Sequence, residues 1–308
     1  MDHQEHLPRP SIIGEAEKSS YLHVEKRKYN RRTFEMKVCI LADNRTLDSK
    51  RFRAEHSLAV LLQTADKQFL LDTGASDAFI ANAEQLGIDL STVDYVFLSH
   101  GHADHTGGLS AFLQVNIKAK VIVSPAAVSG SFFSSKGALH SITANWPLEQ
   151  MEGRTTYIEE TQEFSEGIGV IAAIPQNHPL PKGDRNLLVG KDGKYCPDTF
   201  GHEIALFVDG FLFTGCAHNG LENILEACPW PVNVVLGGFH LLDSQGENTY
   251  ESEEELKALA NRLMEKYPRT VFYTGHCTED VAFGTLKAVM GERLQHFHCG
   301  KRFEIAIR

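Results

Sequence analysis

The chain has 308 residues, 42% hydrophobic and 23% charged, enough to bury a sizeable core as one large domain or two small ones. Forty acidic against thirty basic side chains give a net charge of −10, which excludes electrostatic affinity of the whole molecule for nucleic acid or an anionic membrane. The longest apolar runs, 204–208 and 232–236, are too short to cross a bilayer.

Residues 1–33 read as a polar extension. Pro8 and Pro10 come early in it, and a basic cluster of Lys26, Arg27, Lys28, Arg31 and Arg32 comes late; the cluster reads as a solvated flank rather than a nucleic-acid patch. The first twenty residues carry no positive segment followed by an apolar one, and the six cysteines include no C-x-x-C pair. A reducing, cytoplasmic setting is therefore expected.

Residues 34–308 read as one domain. Runs 36–41, 58–63 and 68–71 are strand-like and closely spaced, an antiparallel start. Asp77 is placed to cap a helix with Phe79, Ala83 and Leu86 on one face and Gly87 as its stop. Strands are expected at 93–98, 121–123 and 170–173, and Asp209-Gly210 marks a hairpin between 204–208 and 211–214. A short helix carries Leu221, Leu225 and Cys228, followed by a buried strand at 232–236. Ser252 and Glu255 form a capping box for a helix with Leu256, Leu259, Leu263 and Tyr267 inward. After a strand at 271–273, Thr278 opens a helix with Val281, Leu286 and Val289 on one face, and 303–307 is a last strand. Strands first and then strand–helix alternation predict an α/β layered domain.

The chemistry is concentrated in LSHGHADHTGGL, residues 98–109. A buried strand leads into a glycine-containing loop that offers four ligand-type side chains within six residues. His100 and His102, two apart in extended chain, point the same way and can grip one metal; Asp104 and His105, on the following turn, can face a second. Imidazoles with one carboxylate suit zinc, one or two ions, and iron or manganese less strongly. Gly107 and Gly108 allow the next helix to start close to the site. Packing alone does not explain four such residues at this spacing.

The pattern H-x-H-x-D-H resembles the metallo-β-lactamase superfamily, over nearly all of residues 34–308. The resemblance implies an α/β fold, a four-layer αββα sandwich, with metals at one edge. Asp72 in Asp72-Thr73-Gly74 matches the superfamily's first motif, where the aspartate orders the ligand loop through hydrogen bonds, and His276 in YTGHCT matches its last ligand motif. In FTGCAH, Cys216 stands where the superfamily usually has a metal-bridging aspartate. A thiolate binds zinc but is not expected to bridge as a carboxylate does, so Cys216 reads either as a ligand or as a small buried residue. His218 just beyond it is read as the replacement ligand. His178 and His202 compete for the third-motif position.

The strings LADN, AEHS, NAEQLGIDL, GCAHNGLENIL, GGFHL and YTGHCT resemble the branch related to dihydropterin-type synthases. The match covers Asp43, Asn44, Glu55, His56, His202, Glu203, Cys216, His218, His240 and His276. Ser57 departs from it, since glycine usually follows Glu-His there. His240 reads equally as a histidine packed behind glycines or as one facing substrate.

The resemblance implies a metal-dependent hydrolase-type enzyme on a small-molecule ester, lactone or phosphate-containing substrate, or a dihydropterin-related transferase. His100, His102 and His218 would hold one metal, and Asp104, His105 and His276 the other, with Asp104 and Asp72 as the catalytic carboxylates and Asp104 orienting the attacking water. The competing readings are a metal-dependent nuclease or phosphodiesterase and a metal-binding sensor with little turnover. Charge argues against nucleic acid as a partner, and the missing bridging aspartate motivates the sensor.

Overall fold

The computed structural model describes residues 34–246 and 248–307, so the basic cluster and the rest of the 1–33 extension lie outside the described residues. In chain order the first half contains β1 (Phe34–Ala42), β2 (Ala59–Gln63), β3 (Gln68–Leu71), α1 (Ala78–Gln85), β4 (Tyr95–Phe97), α2 (Ala103–Thr106) and α3 (Leu109–Val115). Then come β5 (Lys120–Val123), α4 (Pro125–Ser129), β6 (Phe132–Ser134), β7 (His140–Ser141), α5 (Leu148–Met151) and β8 (Thr155–Tyr157). The second half begins with β9 (Gln162–Ser165), β10 (Ile168–Ile171), β11 (Leu187–Lys191), β12 (Lys194–Pro197), β13 (Ala205–Val208) and β14 (Phe211–Phe213). It ends with α6 (Leu221–Ala227), β15 (Val234–Leu236), α7 (Glu253–Lys266), β16 (Val271–Thr274), α8 (Asp280–Met290), β17 (Leu294–His296) and β18 (Arg302–Ile307).

Two seven-stranded sheets carry the fold, ordered β18-β1-β2-β3-β4-β5-β8 and β17-β16-β15-β14-β13-β10-β9. Each joins an antiparallel part to a parallel one: β1–β3 give way to parallel β3-β4-β5-β8, and β10-β13-β14 to parallel β14-β15-β16-β17.

Alternation along β1 shows how the layers form. Met36, Val38 and Ile40 face a core shared with Leu206, Phe213 and Leu236 of the other sheet, while Cys39 and Leu41 face Phe79 of α1 and Phe112 of α3. The outer face of the second sheet is covered by α6, α7 and α8 through Ile224, Leu263 and Leu286. Both faces of each sheet are buried, so the order of layers is α, β, β, α. A third, four-stranded sheet, β12-β11-β6-β7, is separate from both.

Several local signals act as their chemistry dictates. Asp209 and Gly210 both have positive φ, as a tight hairpin of this type requires. The capping box of Ser252 and Glu255 is complete. Asp77 does occupy the cap position of α1, but its side chain makes no cap bond; Ser76 Oγ accepts the Ala78 N–H instead. The last long helix differs in phase from the sequence expectation. It starts at Asp280, which turns Ala282, Leu286 and Met290 inward and leaves Val281 exposed. Among the described residues, no helix is long and apolar enough to cross a membrane.

Candidate metal centre

The chemistry-bearing residues follow the C-terminal ends of parallel strands in both sheets. Asp72 follows β3, His100 to His105 follow β4, Cys216 and His218 follow β14, His240 follows β15 and His276 follows β16. Loops in this position are the usual ligand-binding edge of parallel α/β sheets. Asp72, Ala217, His240 and His276 all have positive φ, between 48° and 56°, without being glycine. Backbone held in this sparsely populated region clusters where a side chain must be aimed.

Four of the imidazoles are oriented by a partner on Nδ1. Buried Asp72 accepts the Ser99 N–H and O–H, both at 2.8 Å, and its Oδ2 takes the His105 Nδ1–H at 2.6 Å. The single proton of Ser99 Oγ is thus committed to Asp72, so His100 Nδ1 donates to that oxygen at 2.8 Å. His276 Nδ1 donates to Asn44 Oδ1 at 2.9 Å, and His218 Nδ1 to Asp184 Oδ1 at 2.7 Å. In all four, with Nδ1 committed, Nε2 is the nitrogen left to ligate, the arrangement metal-ligating histidines adopt.

Those free nitrogens converge. His105 Nε2 and His276 Nε2 are 3.1 Å apart, and His100 Nε2 is 3.1 Å from His102 Nδ1. At that distance each pair of nitrogens needs a proton or a metal cation between them, because two bare lone pairs would repel. His102 Nε2 and His218 Nε2 are buried without a hydrogen-bond partner among the described residues. Donor atoms of His100, Cys216 and His218 lie within 4.8 Å of one another; so do those of His105, Cys216 and His276, and those of His56, Asp104 and His276. These residues fit one or two cations.

Cys216 therefore occupies the position shared by two donor groups, its Sγ 3.1 Å from His105 Nε2. Of the two readings of Cys216, ligand or small buried residue, this placement favours the ligand. Gly215 makes the approach feasible, because a Cβ there would meet Ser99 Oγ at 2.3 Å.

Burial keeps three of these imidazoles neutral, and His276 is the exception. Burial, and after it the neighbouring imidazoles, hold His100 and His218 well below the ordinary histidine range and bring His102 down to about 3. Neutral imidazole is the form that ligates. Burial opposes charge on His276 as well, yet Asp104 beside it pushes it up to about 9. On Asp104 burial works upward, but His105 and His276 outweigh it and keep the carboxyl well below its usual range. Asp184 is pushed up to about 10 by burial, with Glu203 adding to it, so that side of the site lacks positive charge. Burial raises the Cys216 thiol; Cys277 is also buried, but Cys216 and His240 beside it hold its thiol well below the ordinary value.

The remaining sequence candidates separate clearly. His202 is buried, but Gly101 N–H and Asp198 occupy its two ring nitrogens at 3.1 Å each, so it braces the His100–His102 loop. Glu203 accepts the backbone N–H groups of His218 and Asn219, both at 2.7 Å, and fixes the turn that carries His218. His56 lies at the rim, largely exposed, with Nε2 3.4 Å from Asp104. His178 is a correction: its Nε2 is 2.6 Å from Glu226 Oε1 on α6, and this hydrogen bond commits it away from the centre. His240 packs against His218, ring centroids 4.4 Å apart. Asp184, Asp198 and the neighbouring thiol of Cys277 were not singled out from sequence. A cleft of about 320 Å³ borders the His218 loop, lined by Ile174, Gln176, Thr199, Phe200, Glu203 and Asn219.

Comparison with known proteins places this architecture. The family model for the metallo-beta-lactamase superfamily matches residues 53–181. Tm1679, a solved structure described as a metal-dependent hydrolase of the beta-lactamase superfamily, is 27% identical with a TM-score of 0.71, covering 88% of this chain and 100% of that one. The chain is a metallo-β-lactamase-fold protein. Within that class it is similar to 7,8-dihydropterin-6-methyl-4-(beta-D-ribofuranosyl)-aminobenzene-5'-phosphate synthase of Methanocaldococcus jannaschii, 25% identical over 289 residues, 86% of this chain and 95% of the synthase. The protein MJ0448 of the same organism is 28% identical over 209 residues, 67% of this chain and 79% of its own length.

Proposed function

We propose that the chain is a metal-dependent hydrolase-type enzyme acting on a small ester, lactone or phosphate-containing substrate. The observation that carries this reading is the set of four imidazoles with Nδ1 committed and Nε2 converging around Cys216. His100, Cys216 and His218, with His102 beside them, would hold one ion, and His105, His276, Asp104 and the shared Cys216 the other; zinc suits the nitrogen and sulfur donors, with iron or manganese as alternatives. A bound ion of this kind polarises the electrophile and makes water nucleophilic near neutral pH.

The protein's own part is orientation. Asp104 is 20% exposed, with Oδ2 3.3 Å from His276, 3.4 Å from His56 and 3.5 Å from His105. It is the solvent-reached carboxylate of the site, held anionic, and so can accept a hydrogen bond from an incoming water and aim it. His56, at the rim, is placed to meet the leaving group.

The test is a substrate panel of phenyl esters, lactones, phosphodiesters and diphosphate esters, run on protein whose metal content per chain has been measured. Metal-dependent turnover that Asp104→Asn lowers by about a hundredfold or more is the expected result. A filled site with no turnover on any member would overturn the reading and favour a sensor. Group transfer of the kind the synthase performs is a second reading, favoured by a likeness that extends over 95% of that enzyme's length.

A further inference from the structure

Cys277 belongs to none of the three donor groups above, yet it is buried beside them. Its Sγ accepts the backbone N–H of His240 at 3.2 Å and lies 3.9 Å from the Cys216 carbonyl oxygen. The sulfurs of Cys216 and Cys277 and a ring nitrogen of His240 are within 4.8 Å of one another. Among the described residues, both ring nitrogens of His240 are out of solvent without a hydrogen-bond partner, and Asp184 Oδ1 is 3.5 Å from Nε2. The residue is held at φ 48°, in the left-handed region. Gly238 leaves the room that Cys277 fills, since a Cβ there would meet its sulfur at 2.3 Å. Packing alone gives no reason to strain a backbone so that an unsatisfied imidazole faces two thiols.

We propose that Cys216, His240 and Cys277 form a second, thiol-rich cation site for a thiophilic ion of the zinc class, adjoining the histidine centre and sharing Cys216 with it. Two thiolates and one imidazole are a soft donor set, selective for such ions over magnesium, calcium or manganese. Donor atoms around tetrahedral zinc lie roughly 3.5 Å apart, so small side-chain rotations close the observed spacing. Three protein donors leave a fourth position for water or for a thiol or imidazole ligand. The inference rests on Cys216 being a ligand, as in the reading above.

The experiment is a titration of the full chain, reduced and metal-free, with Cd²⁺, following thiolate-to-cadmium charge transfer in the near ultraviolet and counting bound cadmium by elemental analysis. The parent protein should show the band of two thiolates, and Cys277→Ser should lower its limiting absorbance by about half. His240→Ala should weaken binding while keeping the saturated band. Cadmium-113 NMR of the loaded parent, which resolves each ion separately, should show one resonance at the downfield position of a two-sulfur ion and needs no variant to fold. A band unchanged by Cys277→Ser, or no two-sulfur cadmium resonance in the parent, overturns the proposal. A full band with too little total cadmium to fill the histidines would instead overturn the reading of the histidine centre and leave this site standing.

Discussion

His218 shows how a single ligand is aimed. Glu203 clamps its backbone N–H, Phe200 stacks on its ring with centroids 4.8 Å apart, and Asp184 takes its Nδ1–H, so only Nε2 is left to act. Asp184→Ala releases the ring to rotate and to change tautomer. Metal affinity should fall by roughly 10- to 100-fold, measured by competition with a chromogenic chelator. His178→Ala should leave it unchanged, because His178 is committed to Glu226. Equal affinity in the two variants would show that Asp184 does not aim the ligand. The four ligand-type residues from His100 to His105 were legible because they share one segment and one spacing. Asp184 was not, because it reaches His218 across 34 residues from a loop whose sequence, PKGDRN, has no metal pattern. The hydrogen bond from His276 to Asn44, 232 residues away, is hidden for the same reason, whereas Asp198 is only four residues from His202 but lies in a stretch with no metal pattern.

At the scale of elements, strands with unbroken apolar runs were readable almost to the residue, since burial on both faces leaves no polar interruption to misread. The small sheet was not, because β6, β7, β11 and β12 are two to five residues long and are mostly half-buried or exposed. One signal there was available: Asp192-Gly193, both at positive φ, joins β11 to β12 just as Asp209-Gly210 joins β13 to β14. The junction of α2 and α3 is where an element places the centre. Gly108 has ordinary φ, but a Cβ would meet Thr73 O at 2.2 Å and Ser76 O at 2.5 Å, both backbone atoms. Gly108→Ala must therefore push α3 away from the Asp72 strand end and shift His105 with it. We expect a loss of about 3 kcal/mol in thermal unfolding together with reduced metal content. Gly87→Ala serves as the comparison: it meets nothing within 4 Å, needs φ +68°, and should cost about 1 kcal/mol with metal content intact. Equal behaviour of the two would mean that close backbone approach at Gly108 does not position the site.

Across the whole molecule, the centre is a seam between the sheets. His100, His102, Asp104 and His105 come from the first, while Cys216, His218 and His276 come from the second. The apolar layer between the sheets holds these loops face to face, and the nitrogens of His105 and His276, one from each side, meet at 3.1 Å. Without a cation, buried lone pairs from opposite sheets repel, and relief requires water entry, protonation or separation of the loops. With one, every contact it makes ties one sheet to the other, so its binding free energy becomes folding free energy. An ion at a hundred times its dissociation constant adds about 2.7 kcal/mol, which for a chain of this size raises the unfolding midpoint by roughly 5 °C. Chelation should remove that increment, and readdition of metal should restore it in a concentration-dependent way. Acidification should also remove it, because ligation needs neutral imidazoles and protons compete for the same nitrogens. If a chelated sample, verified to be metal-free, melts at the same temperature as the loaded one, the ions do not join the sheets and the facing histidines must be held by the apolar layer alone.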